Sequence, residues 1–404
     1  MSQTQIAPVS MEVDAPRAMS NRLILTMAIA CGLAVANLYY IQPLLADIGR
    51  SFSVSVGQIG FIATLSQLGY ASGLLLIVPL GDNYNQRKLI VGMLVAVTVA
   101  LAAVSFAPGV IFLAFACYAL GLTTVVPQLI IPYAASLAPA PMRGRVVGTV
   151  MSGLLIGILL ARTVSGFVGT YLGWRSMYWI AAIMMILLAV VLRFLLPDDR
   201  APKGSTSYPR LLQSLWGLWR SQPVLRETGV FGALVFGSFS AFWVILSFVL
   251  ETPPYHFGSE VAGLFGLVGV AGALAASVVG RFADRGEARH ANGIAISITL
   301  FSFVLMWLTG QWLAGLIVGV LLLDLGTQAN QVASQSRVYS LIPEARNRLN
   351  TVYMTLYFVG GSLGSLLGTW GWSLAGWNGV CGVACMMLLL ALALYIFNSK
   401  RMSR

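Results

Sequence analysis

Twelve apolar stretches, each about as long as a bilayer crossing, take up most of this 404-residue chain. They run approximately over 22–46, 57–80, 89–107, 109–137, 145–171, 175–196, 227–251, 260–283, 291–309, 311–336, 349–371 and 376–398. A spanning helix needs about 20 mostly apolar residues. Each stretch is read as such a helix, because backbone polar groups in lipid have only one another to bond. Within 84–140 the segments are nearly charge-free after Lys88, and Ala107-Pro108-Gly109 is the divider. Charged residues make up only 9% of the chain, against about 25% in a soluble domain. The solvent for this surface is therefore lipid. The fold class predicted is an all-α membrane protein.

The net charge of +11 does not point to nucleic acid, because its distribution follows the positive-inside rule. With the N-terminus in the cytoplasm, 21 Lys and Arg residues fall on the cytoplasmic side. Only Arg50 and Arg175 fall outside, and Arg162 lies within the membrane. The split predicts that both termini are cytoplasmic. Cys31, Cys117, Cys381 and Cys385 all sit in spanning segments and are expected to be small packing residues. Residues 1–21 are expected to be a disordered cytoplasmic tail, since they lack a signal-peptide core.

The chain repeats itself. Asp82 and Asp284 follow helices 2 and 8 at an offset of 202. Arg143-Gly144-Arg145 and Arg346-Asn347-Arg348 precede helices 5 and 11, and Gly173-Trp174-Arg175 and Gly376-Trp377-Asn378 open helices 6 and 12, both at an offset of 203. Twelve helices thus form two six-helix bundles in a 6+6 parallel repeat, related by an axis along the membrane normal. The predicted division is an N-terminal bundle over 22–196, a cytoplasmic linker over 197–226, a C-terminal bundle over 227–398 and a short tail over 399–404. In the linker, Leu211, Leu212, Leu215, Trp216 and Trp219 form a stripe suited to a short helix on the cytoplasmic membrane face, with a plain hydrophobic linker as the alternative.

Two ionisable residues lie deep in the apolar stretches: Arg162 in helix 5 and Asp324 in helix 10. Such groups are costly in a bilayer and mark functional sites. Asp324 lies roughly 18 Å into its helix at 1.5 Å per residue, near the bilayer midplane. Gln328, Gln331 and Gln335 follow it on the same face. Burial favours the neutral form of a carboxyl and a nearby cation favours the charged form, so a carboxyl held between the two can load and release a proton. Asp324 is the expected proton carrier. No Gly-rich phosphate loop followed by Lys-Ser/Thr is present, so ATP is not expected as the fuel. No metal-ligand cluster, nucleophile or acid–base cluster is visible, and His256 and His290 lie in loops on opposite sides. Neither an enzyme nor a bound cofactor is expected.

Gly280-Arg281-Phe282-Ala283-Asp284-Arg285-Gly286 resembles the start of the signature loop of the major facilitator superfamily. The first-half copy keeps Asp82, Arg87 and Lys88 but has Val78, Asn83, Asn85 and Gln86 where the family has Gly, Arg, Gly and Arg. Asn37-Leu38-Tyr39-Tyr40 with Gln42-Pro43, Gly166 with Gly169, and the run from Asp324 to Gln331 resemble a bacterial branch near the drug:proton antiporters. The resemblance covers residues 20–400. Antiporters of the superfamily usually carry Gly-Pro in helix 5; here Gly157-Ile158-Leu159-Leu160-Ala161 runs into Arg162 without proline.

The resemblance implies a secondary transporter of the bacterial inner membrane, working by alternating access, and proton-coupled export of a small organic solute. Uptake of a metabolite and a non-transporting receptor or scaffold are the alternatives. A monomer suffices for this mechanism, with the solute, protons and the lipid bilayer as partners and no nucleic acid. The family fold puts Arg162 close to helices 8 and 10. Arg162 is expected to pair with ionised Asp324 in one state and to bind solute or backbone carbonyls in another. A permanent structural pair and an anionic solute on Arg162 are the alternatives. The cavity is expected to draw on Asn37, Tyr40, Gln42, Thr124, Gln128, Ser240, Trp243, Gln328 and Gln331. Asp82, Arg87, Lys88, Asp284 and Arg285 are expected to form cytoplasmic latches. Glu251 is read as a solvated loop carboxylate, with an entry-side proton group as the alternative.

Overall fold

The computed structural model describes residues 20–197, 207–269, 288–342 and 345–402. Those residues form helices and no strands. The first span consists of α1 (Asn21–Ala36) and α2 (Ile41–Phe52), and the second is α3 (Val56–Leu76) with a 3-10 turn over Val78–Asp82. Then come α4 (Gln86–Phe106), α5 (Val110–Thr123) and α6 (Val126–Leu137), which share one span, α7 (Arg143–Leu172) and α8 (Trp174–Leu195). The linker carries α9 (Tyr208–Ser221). The second half holds α10 (Pro223–Glu251), α11 (Ser259–Gly269), α12 (Ala288–Thr309), α13 (Leu313–Tyr339) and α14 (Arg346–Met402).

Ten of these spans are long and apolar enough to cross a membrane. The last, α14, holds both the eleventh and twelfth predicted segments and is bent at Ala375–Gly376. The eighth segment is described as α11; its continuation lies outside the described residues. An apolar mantle faces outward: Phe115, Phe194 and Leu308 are 72%, 80% and 80% exposed. On a soluble protein such a surface would aggregate; on a multi-pass membrane protein it meets lipid.

Helix ends depart from the predicted limits where no bilayer constraint applies. Helix α1 begins inside the predicted tail, because the Ser20 hydroxyl accepts from the Leu23 N–H at 3.2 Å and caps it. Helix α10 begins at Pro223, a residue suited to a first helical turn. Helix α14 runs to Met402, into the predicted C-terminal tail. Residues 1–19 and 198–206 lie outside the described residues.

Two spans are broken in mid-course, and proline explains both. Pro43 clashes with the carbonyl four residues back, that of Tyr39, and between α1 and α2 the helical ladder gives way to tighter turns: the N–H groups of Asn37, Leu38 and Tyr39 donate to the carbonyls of Ala34, Val35 and Ala36 at 3.4, 3.1 and 2.9 Å. Pro127 acts on Thr123, the last residue of α5. At the second break the Thr124 hydroxyl donates to the Leu120 carbonyl at 2.6 Å, so the break is not left with bare polar groups.

Glycine contacts set the helix pairing. A Cβ on Gly157 would fall on the Gly32 backbone where α1 crosses α7, and one on Gly364 would fall on Gly237 where α10 crosses α14. Both crossings use small residues to bring backbones together, as helices in lipid commonly do. The repeat also shows in matched bonds. Arg87 donates to the Arg193 carbonyl, and Arg289, 202 residues later, donates to the Tyr395 carbonyl at 3.2 Å. Arg143 Nε donates to the Ala135 carbonyl at 3.0 Å, and Arg346 Nε to that of Tyr339 at 3.1 Å. Gly173 and Gly376 both take positive φ, +83° and +56°, a conformation that favours glycine.

Helix α9 forms where the linker stripe predicts it. Leu211 and Leu215 are buried against the bundle, Leu212 and Trp219 are half-buried, and Trp216 is exposed. The Tyr208 hydroxyl donates to the Leu76 carbonyl at 2.7 Å and ties the linker to α3.

The α1–α7 crossing is a test of this packing. Gly157→Val should cost about 1–3 kcal/mol through overpacking. It should appear as a lowered unfolding temperature of the purified protein in detergent; an unchanged temperature would mean the two backbones can separate freely.

Candidate functional site

Arg162 and Asp324 are both buried in the middle of the molecule, 1% and 2% exposed. Arg162 stands on α7 and Asp324 is the twelfth residue of α13. Helix α11 connects them. A Cβ on Gly266 would lie 2.9 Å from the Arg162 Cβ, and one on Gly269 would lie 3.0 Å from a carboxylate oxygen of Asp324. Those glycines are three residues apart, about 4.5 Å along a helix. The two charges are within electrostatic reach of each other. They do not form one of the four ion pairs found among the described residues.

Arg162 is held instead by neutral groups from both halves. Its Nε donates to Gln42 Oε1 at 2.6 Å. Its guanidinium carbon lies 3.8 Å from the ring centre of Trp243, 4.9 Å from that of Tyr39 and 5.8 Å from that of Phe239. Tyr39 comes from the break between α1 and α2, and Gln42 from the first turn of α2. Phe239 and Trp243 are one turn apart on α10. Cation–π attraction of this kind strengthens when desolvated, to about 2 kcal/mol or more. Arg162 Nη2, Trp243 Nε1 and Asp324 Oδ2 are buried without a hydrogen-bond partner. Unsatisfied buried polar atoms are uncommon in a settled core and call for an explanation.

A second, neutral connection joins the halves at the α3–α14 contact. Gln67 Nε2 donates to Ser365 Oγ at 3.0 Å, and Ser240 Oγ donates to Gln67 Oε1 at 3.3 Å. Gln67 is not among the predicted site residues. Its signal was an amide in the middle of an apolar stretch with no turn nearby.

The other predicted cavity residues scatter around this centre. Asn37 is buried at the α1–α2 break with both amide atoms unpartnered. Thr124 bonds back to its own helix. Gln128 donates to the Tyr70 hydroxyl at 3.4 Å and lines a cavity of about 180 Å³ beside Arg348, Asn350 and the linker residues Leu211 and Leu215. Gln328 and Gln331 are half-buried on α13. Tyr40 lines a groove among α1, α7 and α8 on the flank of the protein. The four cysteines are free and buried.

At the end away from the linker, Arg50 binds both Asp47 and Glu251. Glu251 is thus the last residue of α10 and half of an ion pair between halves, where a solvated loop carboxylate was expected. The difference arises because α2 carries Arg50 past the predicted end of the first span. Nearby, the Thr170 hydroxyl bonds Glu260 at 2.7 Å, and that of Thr163 donates to the Gly263 carbonyl at 3.1 Å.

At the linker end, Arg87 spends its guanidinium on the Arg193 carbonyl, and the Lys88 N–H is capped by Asn85 Oδ1 at 2.9 Å. Asp284 and Arg285 lie outside the described residues, as does the side chain of Asp82. A larger cluster lies in the second half. Glu227 on α10 accepts from Arg289 at 3.1 Å, from Arg337 and from Asn398 at 3.3 Å. Asn292, which Arg337 also approaches, donates to Asn330 and Ser334, both at 2.9 Å. Sequence spacing does not reveal this cluster, because its members come from four helices.

The family model of the Major Facilitator Superfamily matches residues 27–326. The chain is 42% identical over 377 residues to the transporter YgaY of Escherichia coli K12, covering 93% of this chain and 95% of that one. It is 33% identical over 383 residues to the transporter SCO4007 of Streptomyces coelicolor, covering 93% and 87%. Its backbone is similar to the inward-facing, unoccupied crystal structure of a bacterial homolog of the human lysosomal transporter Spinster. That match has a TM-score of 0.72 and 15% identity, over 94% of this chain and 96% of that one.

The Glu227 cluster gives a direct prediction. Glu227→Ala leaves two partly buried arginines without their carboxylate, which should cost about 1–3 kcal/mol. The unfolding temperature should fall well below that of the wild type; an equal temperature would mean that the arginines find other partners.

Proposed function

The chain belongs to the major facilitator superfamily, and we propose that within it this membrane transporter exports a small organic solute in exchange for protons. Two six-helix bundles, 22–196 and 227–398, rock about a central site, and the 197–226 linker joins them on the cytoplasmic side of the bacterial inner membrane. Both termini face the cytoplasm, following the distribution of basic residues.

One observation carries the reading. Two opposite buried charges, one from each half, lie within reach of each other, and neither is paired with the other. Arginine keeps its proton, so the variable is the charge on Asp324. Loaded with a proton, Asp324 has no hold on Arg162, which rests on Gln42 and Trp243. Ionised, it attracts Arg162 and draws α7 toward α13. Proton loading therefore selects between two arrangements of the interface between halves.

The ends of the molecule fit a solute loaded from the cytoplasm. Arg50 and Glu251 tie the halves together on the far side. A cavity of about 180 Å³ lies between them on the linker side. Asp82, Arg87 and Lys88, with Asp284 and Arg285, act as latches on that side when the halves close there.

The test uses everted membrane vesicles with an imposed pH gradient and a mixture of small organic solutes. Wild-type vesicles should accumulate a subset of the mixture, and an uncoupler should release it. Asp324→Asn should reduce that accumulation at least tenfold, equivalent to about 1.4 kcal/mol or more of lost coupling. Undiminished, uncoupler-sensitive accumulation in Asp324→Asn would remove Asp324 from the mechanism.

A further inference from the structure

The guanidinium of Arg162 is itself a flat organic cation, and the protein has built a receptor around it. One face lies 3.8 Å from the Trp243 ring centre, with Tyr39 and Phe239 at 4.9 Å and 5.8 Å. The Gln42 carbonyl oxygen accepts an in-plane N–H at 2.6 Å. Aromatic faces around a cation, with an oxygen at its edge, are the chemistry that recognises a planar amidinium or guanidinium group. The box draws on both halves of the chain, and its occupant can leave. The Cβ of Arg162 and the carboxyl of Asp324 touch α11 about one turn apart, against Gly266 and Gly269.

The unpartnered atoms mark the second position of the arginine. Arg162 Nη2 lacks an acceptor and Asp324 Oδ2 lacks a donor. Moving the guanidinium to the ionised carboxylate satisfies both with a charge-assisted bond. It also empties the box and frees the Gln42 oxygen that now accepts from Arg162. Among the described residues, Asp324 is the carboxylate that acts on Arg162. The groups that face the pair are few among the described residues. Tyr39 comes from the α1–α2 break and Tyr357 from α14, and both are within electrostatic reach of Asp324. Helix α11 offers glycines, α10 offers neutral rings, and α12 offers Thr299 beside Gly326.

We propose that this box is the binding site for a flat amidinium- or guanidinium-type solute, and that Arg162 is its resident stand-in, displaced to Asp324 when the solute enters. The inference rests on the reading of Asp324 as proton carrier and adds the class of solute. The charge balance closes. With Asp324 protonated and Arg162 in the box, the site carries one positive charge. Loss of that proton lets Arg162 and Asp324 neutralise each other, and the entering cation restores the single positive charge. One proton is exchanged for one cation, and the site never holds two unpaired cations.

Benzamidine serves as the probe, with neutral benzamide and anionic benzoate as controls of similar shape. Binding to the purified full-length protein in lipid nanodiscs is followed by calorimetry over a range of pH. Benzamidine should bind about tenfold more tightly for each unit of rising pH until Asp324 is fully ionised, releasing one proton per molecule. Trp243→Ala should weaken binding at least tenfold. Arg162→Ala opens the box permanently, so it should bind benzamidine at acid pH, where the wild type does not; this gain also guards against loss by misfolding. Benzoate binding in preference to benzamidine, affinity independent of pH, or an Arg162→Ala protein that still needs alkaline pH would each overturn the proposal. If wild type ignores benzamidine while Asp324→Asn loses gradient-driven accumulation, the solute class is wrong and the proton carrier stands. If Asp324→Asn keeps its coupling, both readings fall.

Discussion

A guanidinium that cannot lose its proton is buried in the centre of this protein with no carboxylate in contact among the described residues, and the rest of the site is arranged around that fact. An isolated charge in such a place must be solvated by the protein itself. Here the solvation is neutral and divided between the halves: an amide oxygen and a tyrosine ring from the first, two aromatic rings from the second. Each contact is weak beside an ion pair. In the proposed exchange that weakness is what makes the arrangement reversible, because a full charge on Asp324 outweighs any one of them.

The two contacts between the first and second halves of the chain are built unequally, although they fall at positions matched in sequence offset. Ser365 stands 203 residues after Arg162, and Gly269 stands 202 residues after Gln67. On the α3–α14 side the pair is Gln67 with Ser365, an ordinary neutral hydrogen bond at 3.0 Å. On the α7–α11 side the equivalent positions hold Arg162 and a glycine against which the Asp324 carboxyl rests. The matched positions therefore carry charge on one side only. In the proposed exchange, the neutral side would keep its contact whatever the proton occupancy and serve as a pivot, and the charged side would respond to it.

Ion pairs at the two ends differ in kind. Arg50 joins the halves through Glu251 and is well exposed, so salt and water screen it and it can part at small cost. The Glu227 cluster lies largely out of water and joins helices of the second half only. It fastens that bundle into a unit without tying it to the first. A molecule that moves as two rigid bodies needs strong contacts within each and breakable ones between them.

The sequence by itself determined the class of the protein, because lipid leaves so few choices. Apolar length fixed the spans, the repeat showed in matched glycines and arginines, and the stripe in the linker marked α9. Arg162 and Asp324 were legible for the same reason: a charge in an apolar stretch stands out. What surrounds them was not legible. Gln42 and Trp243 read as cavity candidates among many, Gln67 passed unnoticed, and Glu251 read as a loop residue. Their roles depend on which helices cross at which depth, and in lipid that is set by small-residue contacts such as Gly32 on Gly157 and by breaks such as the one before Pro43. One-dimensional pattern reports how greasy each segment is; only the tertiary structure decides which polar atoms meet, because the partners stand 120 residues apart for Arg162 and Gln42 and 298 for Gln67 and Ser365.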